Sequence, residues 1–293
     1  MSNLRPMQLG EILDATFSIY RRHFALFMRM GLVVVGLPAV AWVYFQVRYG
    51  GMRGPELFQA FQEHTARSVL ILLALLLASG AASLLLKAGT IQVISESYLG
   101  REPRLAPALQ LGAAKILPLL LIAISKWLVL IIIYLLGAFG LGLAVVIGRL
   151  GGTAGAVLFG LVGGVGLCWA LAYVACGYGV TTPVVVLEGL ASSFDAFGRS
   201  WDLTRGFRLK VFGVWFVTWL IATVLPPIVG FTLGIVILSA SPALQPFLAV
   251  FGALLGILLA PVMPCALTLL YYDLRVRREA FDLQMLSQEL GIT

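Results

Sequence analysis

The chain has 293 residues, 60% of them hydrophobic and 11% charged, with a formal net charge of +7. A soluble domain carries about 25% charged residues, so a water-facing surface of ordinary composition is excluded. The apolar residues fall in runs long enough to cross a bilayer, which takes about 20 residues per helix, and these runs are continuous rather than alternating. The fold class that follows is all-α: a polytopic membrane protein built from helices, not from barrel strands.

In chain order, the first element is "LGEILDATFSIYRRHF". Leu9, Ile12, Leu13, Phe17, Tyr20 and Phe24 recur at helical spacing, with Glu11, Asp14, Ser18, Arg21 and Arg22 on the other face. Such a helix is expected to lie in the membrane interface. The first span is read over Ala25–Phe45. It begins after some 24 polar and amphipathic residues and outlasts a signal h-region, so no cleavable signal peptide is expected. A short surface helix, "GPELFQAFQEHTAR" at Gly54–Arg67, precedes the second span, Val69–Val93. A weaker amphipathic segment, "PRLAPALQLGAAKI", carries Leu105, Ala108 and Leu109 towards the third span, Ile122–Ile147. The fourth span is Ala156–Val180. A third amphipathic segment follows, "SSFDAFGRSWDLTRGF", in which Ser192 and Asp195 fit a capping box and Leu190, Phe194, Phe197 and Trp201 form the apolar stripe. The fifth span, Val211–Leu238, contains Pro226 and Pro227. The sixth, Phe247–Tyr271, contains Pro261 and Pro264, and each proline is expected to bend its helix.

The twenty basic residues sort by side. Fourteen flank one set of helix ends: Arg5, Arg21, Arg22 and Arg29; Arg101, Arg104 and Lys115; Arg199, Arg205, Arg208 and Lys210; Arg275, Arg277 and Arg278. Arg48, Arg53, Arg67 and Arg149 fall on the other. The excess of positive charge inside places both termini in the cytoplasm of a bacterial inner membrane, after an even number of crossings. The net charge reads as topology and as contact with anionic lipid headgroups. Nucleic acid is not the expected partner, because the bases are dispersed along helix ends.

The spans group as hairpins, each introduced by an amphipathic segment. Those segments end on Arg22, Lys115 and Arg205, spaced 93 and 90 residues apart, and the even-numbered spans end on Glu96, Glu188 and Asp273, spaced 92 and 85 apart. A period near 90 residues implies one transmembrane domain over residues 1–293, with repeats over about 5–98, 99–188 and 189–286. Small residues recur every fourth position: Gly152, Ala156, Gly160, Gly164, Cys168, Ala172 and Cys176 in the fourth span, Ala74, Ala78 and Ala82 in the second, and Gly252, Gly256 and Ala260 in the sixth. Such stripes let helix backbones approach in lipid, and they predict a central fourth span. The cysteines Cys168, Cys176 and Cys265 are expected to be small packing residues.

Candidate chemistry is sparse. The only histidines, His23 and His64, fall on opposite sides, and no Cys/His spacing suggests a metal. "GLVGGVG" at Gly160–Gly166 lacks the strand before it and the Lys-Ser/Thr after it that a phosphate loop needs. No cofactor is expected. The intramembrane cations are the remaining pointers. Lys126 sits inside the third span, where a central lysine costs about 2.5–3.5 kcal/mol on insertion scales and must snorkel, pair or face a polar cavity. Lys87 lies near the cytoplasmic end of the second span, where its ammonium can snorkel. Glu96, Glu188 and Asp273, with Arg205 and Arg275, complete the candidate polar or lipid-headgroup contacts. Ion pairs tying each interfacial helix to its hairpin are the simpler reading of these helix-end charges.

Three stretches carry a family resemblance: "LGEILDATFSIYRRHF", "SSFDAFGRSWDLTRGF" and "LLYYDLRVRREAFDLQML". The most specific parts are Ser200-Trp201-x-Leu203-Thr204-Arg205 and Tyr272-Asp273-Leu274-Arg275-x-Arg277. From about Leu9 to Met285 the chain resembles the membrane domain attached to some glycerophosphoryl diester phosphodiesterases, and its stand-alone bacterial relatives. In the fused proteins catalysis belongs to a separate barrel domain rich in acids and histidines. The resemblance therefore implies a membrane module without phosphodiesterase activity and carries over no catalytic residue. The expected function is that of a scaffold or lipid-associated module, with membrane lipids and a membrane protein as partners. The alternative is a carrier or channel for a small or lipid-like substrate, motivated by Lys126, the Pro226-Pro227 break and the repeat. A membrane-bound lipid enzyme would require Glu96, Glu188 and Asp273 to converge on one pocket.

Overall fold

Local chemistry sets the first helix. The backbone N–H of Gln8 donates to the Glu11 carboxylate at 2.7 Å, which satisfies one of the otherwise unmet donors at the start of α1 (Leu9–Arg22). Arg21 and Arg22 close its last turn, where cations complement the negative helix end. His23 separates α1 from α2 (Phe24–Tyr49), and α3 (Thr65–Tyr98), α4 (Leu105–Ala114) and α5 (Ile116–Gly148) follow. A 3₁₀ turn at Arg149–Gly151 leads into α6 (Gly152–Gly177). The remaining helices are α7 (Thr181–Leu187), α8 (Asp195–Thr204), α9 (Arg208–Trp219), α10 (Leu225–Ala240), α11 (Gln245–Leu259) and α12 (Val262–Glu279). The computed structural model describes residues 6–49, 65–241 and 244–279. Arg5, residues 54–64 with His64, and the tail beyond Glu279 with Phe281 and Met285 lie outside the described residues, as do Gly51 and Arg53. No strand occurs among the described residues.

Among the described residues five apolar helical tracts are long enough to cross a membrane: Phe24–Phe45, Val69–Tyr98, Ile116–Leu187, Arg208–Ile235 and Pro246–Glu279. The third is 72 residues long and contains α5, the 3₁₀ turn, α6 and α7. The chain reverses there because residues 148–155 are rich in glycine. Gly152 has φ +77°, a left-handed conformation that favours glycine, and a Cβ added to Gly155 would lie 2.3 Å from the Gly148 carbonyl oxygen.

Two spans have interruptions that prolines explain. The tract from Arg208 contains a π-helical turn, Leu220–Val224, in which the Leu225 N–H reaches back to the Leu220 carbonyl. Pro226 and Pro227 follow in the first turn of α10, where a missing N–H is tolerated. The sixth span is two helices, parted at Ala260 and Pro261. The fourth span also ends earlier than its hydropathy suggests: α6 stops at Gly177, and α7 is a separate short helix.

By its contacts the chain divides into two units: Met1–Ile116 with Val214–Leu269, and Leu117–Gly213 with Leu270–Thr293. In the first unit α2 packs on α3 and α11, and α3 on α4, around the fully buried Phe27 and Met30. Glycine makes these contacts close. A Cβ at Gly31 would meet the Ile257 side chain at 2.7 Å, and one at Gly112 would stand 3.0 Å from the Leu85 carbonyl oxygen. Tyr20 ties α1 to α11, its hydroxyl donating to the Leu258 carbonyl at 2.7 Å while its ring stacks on Phe27. In the second unit α5 meets α6 at Gly148, Gly155 and Gly163, and α6 meets α8 at Gly177, where a Cβ would collide with the Trp201 ring.

These contacts correct the small-residue stripes. Gly164, Gly252 and Gly256 have nothing within 4 Å of an added Cβ, and Ala74, Ala78 and Cys168 are exposed. The central position expected of the fourth span is not what the structure shows: from Ala156 to Ala175 no residue is buried, and only Cys176, Gly177, Gly179 and Val180 at its end are. A period of four supplies permission for close approach but does not choose the partner helix. Cys176 and Cys265 are buried packing residues, as expected. Three buried hydroxyls are satisfied along their own helices, Thr16, Thr218 and Thr268 each donating to the carbonyl four residues back at 2.7 Å, whereas that of Thr90 has no partner among the described residues.

Candidate functional site

The charged chemistry concentrates in the second unit, where the last turns of α12 face the end of α7 and the side of α8. Residues four apart on a helix share a face. Tyr271, Arg275 and Glu279 therefore form one row, and Asp273 with Arg277 forms the next. Along the first row Arg275 donates to the Tyr271 hydroxyl at 3.3 Å and to Glu279 at 2.9 Å. The Tyr271 hydroxyl donates in turn to Glu188, the residue that ends α7, at 2.8 Å. Arg199, from the middle of α8, reaches the same carboxylate through Nε at 3.0 and 3.2 Å and pairs with Glu279 as well. Glu188, Arg199, Glu279, Arg275 and Tyr271 thus close a ring of two acids, two bases and one phenol. The hydrogen bond to Glu279, and then Glu188, holds the Arg199 guanidinium above its ordinary pKa against the opposing effect of burial. It stays charged at every accessible pH.

The second row is a separate pair. The Asp273 side chain is fully buried and accepts from Arg277 at 3.1 Å and from Lys210 on α9. Arg278 donates to the Arg205 backbone carbonyl at the end of α8. Ser200 and Thr204 fasten the other side of α8, both donating to the Gly177 carbonyl, at 2.8 and 3.2 Å. At the start of α8 the Asp195 carboxylate accepts the Ser192 N–H at 3.0 Å, one arm of the capping pattern in the sequence, while the Ser192 hydroxyl accepts from Phe194 instead. The buried face of α8 is Ala196, Ser200, Leu203 and Thr204; Phe194 is exposed.

Arg208 opens α9 beneath two aromatic rings. Its guanidinium lies 3.5 Å from the Tyr173 ring centre and 4.1 Å from that of Trp201. Its Nε and Nη1 are buried and have no hydrogen-bond partner among the described residues.

The other sequence candidates fall elsewhere. Lys126 donates to the Tyr178 carbonyl at 3.1 Å, so its ammonium caps the negative C-terminal end of α6. The Thr181 hydroxyl shares that carbonyl at 2.9 Å. Lys87 is exposed on α3. Glu96, in the first unit, accepts from Gln92 one turn back at 2.7 Å. His23 hydrogen-bonds with Ser97 at 2.9 Å, linking the α1–α2 junction to the end of α3. Its pKa is lowered, by burial first and by Arg22 next, with Glu102 opposing.

The structure therefore gathers Glu188, Asp273, Arg275 and the Arg205 backbone in one region. It adds Tyr271, Arg199, Glu279 and Lys210, which sequence reasoning did not assign to a site. The four-residue spacing of Tyr271, Arg275 and Glu279 was the signal that could have found half of them. Among the described residues no group of three His, Cys, Asp or Glu is placed to hold a metal ion. No family model, curated protein or solved structure matches the chain.

Proposed function

We propose that the chain is a multi-pass protein of the bacterial inner membrane that works as a scaffold or lipid-associated module and does not catalyse a reaction. Membrane lipids, and a membrane protein, are its partners in this reading. The observation that carries it is the commitment of the carboxylates. Glu188, Asp273 and Glu279 are each held by cations of the same unit, and Glu188 also takes the Tyr271 hydroxyl. Acids saturated in this way brace helices; a general base needs a free lone pair within reach of substrate.

The same reading takes the 72-residue tract as two crossings, α5 and α6, and so gives six spans with both termini in the cytoplasm. The buried segments that precede Glu96, Glu188 and Asp273 support three related hairpins: residues 88–91, 179–181 and 261–262 begin buried stretches that run up to each acid. The three motifs shared with the membrane domain of glycerophosphoryl diester phosphodiesterases agree with a module of this kind. Purified protein incubated with phospholipid or with a glycerophosphodiester should release no product. Turnover that is lost in a folded Asp273→Ala variant would show an enzyme instead.

A further inference from the structure

Arg205, Arg208 and Lys210 line one pocket of about 500 Å³, together with Tyr173, Phe207 and Leu209. Three cations and no carboxylate appear among its lining residues. Two more cations stand behind the wall: Arg277 lies 5.6 Å from the Phe207 ring centre, and Arg278 donates to the Arg205 carbonyl. Against these five charges stands the buried Asp273, already shared by Lys210 and Arg277. Asp202, exposed on α8, is the nearest other acid in the sequence.

Among the described residues neither Arg205 nor Arg208 has a carboxylate partner. The rings of Tyr173 and Trp201 fix Arg208 in place while leaving its charge uncancelled, since a π face attracts a cation without neutralising it. Like charges gathered in this way repel one another and raise the local concentration of anions.

What adjoins the pocket narrows the anion. Arg208 begins the apolar tract Arg208–Ile235. Leu209, on the pocket wall, is 88% exposed, and Phe212 one turn further is exposed as well. A cationic hollow and an uncovered apolar helix face thus meet at a single helix start, which suits an amphiphile. The geometry points to a binding site for the phosphate of an anionic phospholipid. Arg205 and Arg208 take the phosphate oxygens, Lys210 stands at the rim, and the acyl chains run along Leu209 and Phe212. Arginine suits this task because its planar fork matches phosphate oxygens in pairs; the exposed Arg205 can present that fork, while Arg208, with Nε and Nη1 buried, adds its fixed charge. The inference rests on the membrane reading proposed above and names the lipid chemistry of one site within it.

The test uses the full chain purified in detergent and titrated with short-chain phosphatidylglycerol, with short-chain phosphatidylcholine and inorganic phosphate as comparisons. Phosphatidylglycerol should saturate, and bind about tenfold tighter than phosphatidylcholine. Arg205→Gln and Arg208→Gln should each weaken it by about tenfold, the loss of one charge-assisted phosphate contact. Arg104→Gln, which removes an exposed base at the start of α4, should leave binding unchanged. Melting curves establish that each variant is folded. If Arg208→Gln unfolds, the exposed Arg205 decides the matter alone. Unchanged binding in folded Arg205→Gln protein overturns the site, as does an equal loss in Arg104→Gln, which would mean a diffuse effect of net charge. Inorganic phosphate that competes at the lipid's own concentration overturns the lipid assignment in favour of a free phosphate. Catalytic turnover would defeat the scaffold reading without altering these affinities, so the two proposals fail separately.

Discussion

Tyr271 shows how single side chains carry the polar cluster. Its hydroxyl donates a hydrogen bond to Glu188 and accepts one from Arg275, so it joins α12 to the end of α7. Tyr271→Phe keeps the ring and removes both bonds. Thermal unfolding in detergent should show a loss of about 1–2 kcal/mol, the range for a buried hydrogen bond whose partners keep other contacts. Much of this cluster was legible in outline. Of the three helix-end acids that share a spacing, Glu188 and Asp273 are ion-paired here, whereas Glu96 stands in the first unit and accepts from Gln92. The partners of Glu188 and Asp273 were not legible, because Arg199 and Lys210 reach them from 11 and 63 residues away. Such pairings depend on how helices pack, which periodicity does not encode. Arg208 was hidden for a related reason: in the sequence it is one base among fourteen, and only the fold brings Tyr173 and Trp201 over it.

At the scale of elements, α1 is a helix pinned at both ends of its last turn. Tyr20 holds the Leu258 carbonyl and His23 holds Ser97. Because burial and Arg22 lower the His23 pKa, the folded chain prefers the neutral ring. The stability from this preference is complete above the unfolded value of about 6.5 and is lost as pH falls through the lowered folded value. Melting temperature should therefore drop between pH 7.5 and pH 5, and His23→Gln, which keeps a hydrogen-bonding side chain but does not titrate, should flatten that dependence. Helix positions were largely readable, because long apolar runs and flanking polar residues are strong local signals. The divisions inside the runs were less so. Hydropathy does not distinguish a span from a span that stops at Gly177 and restarts at Thr181, since both are equally apolar. The choice of close-packing glycines was also invisible: Gly31, Gly89 and Gly112 belong to no stripe, yet their missing side chains are what the neighbouring helices occupy.

For the whole molecule the number of crossings sets the topology. Counting α5 and α6 as separate passes puts Ser241, after α10, outside the cell and Arg101, between α3 and α4, inside it. Reporter fusions at those two residues should read on opposite sides. A reading on the same side would mean that the 72-residue tract does not cross twice in the proposed way. The ion-pair network and the cationic pocket lie at helix ends that carry the sequence's basic excess.

The π turn at Leu220–Val224 has a consequence for how this chain tolerates change. A turn bonded five residues back holds one residue more than an α-helical turn of the same bonding pattern. Deleting Ala222 would let the turn close as ordinary α-helix and keep the ladder unbroken. Side chains beyond it would keep their facing, because the wide turn has already absorbed the extra residue; the same deletion in a regular α-helical stretch would rotate them by about 100°, the angle of one residue at 3.6 per turn. Pro226 and Pro227 would keep their place, so the π turn marks the point in that membrane tract where one residue can be lost without turning its second half.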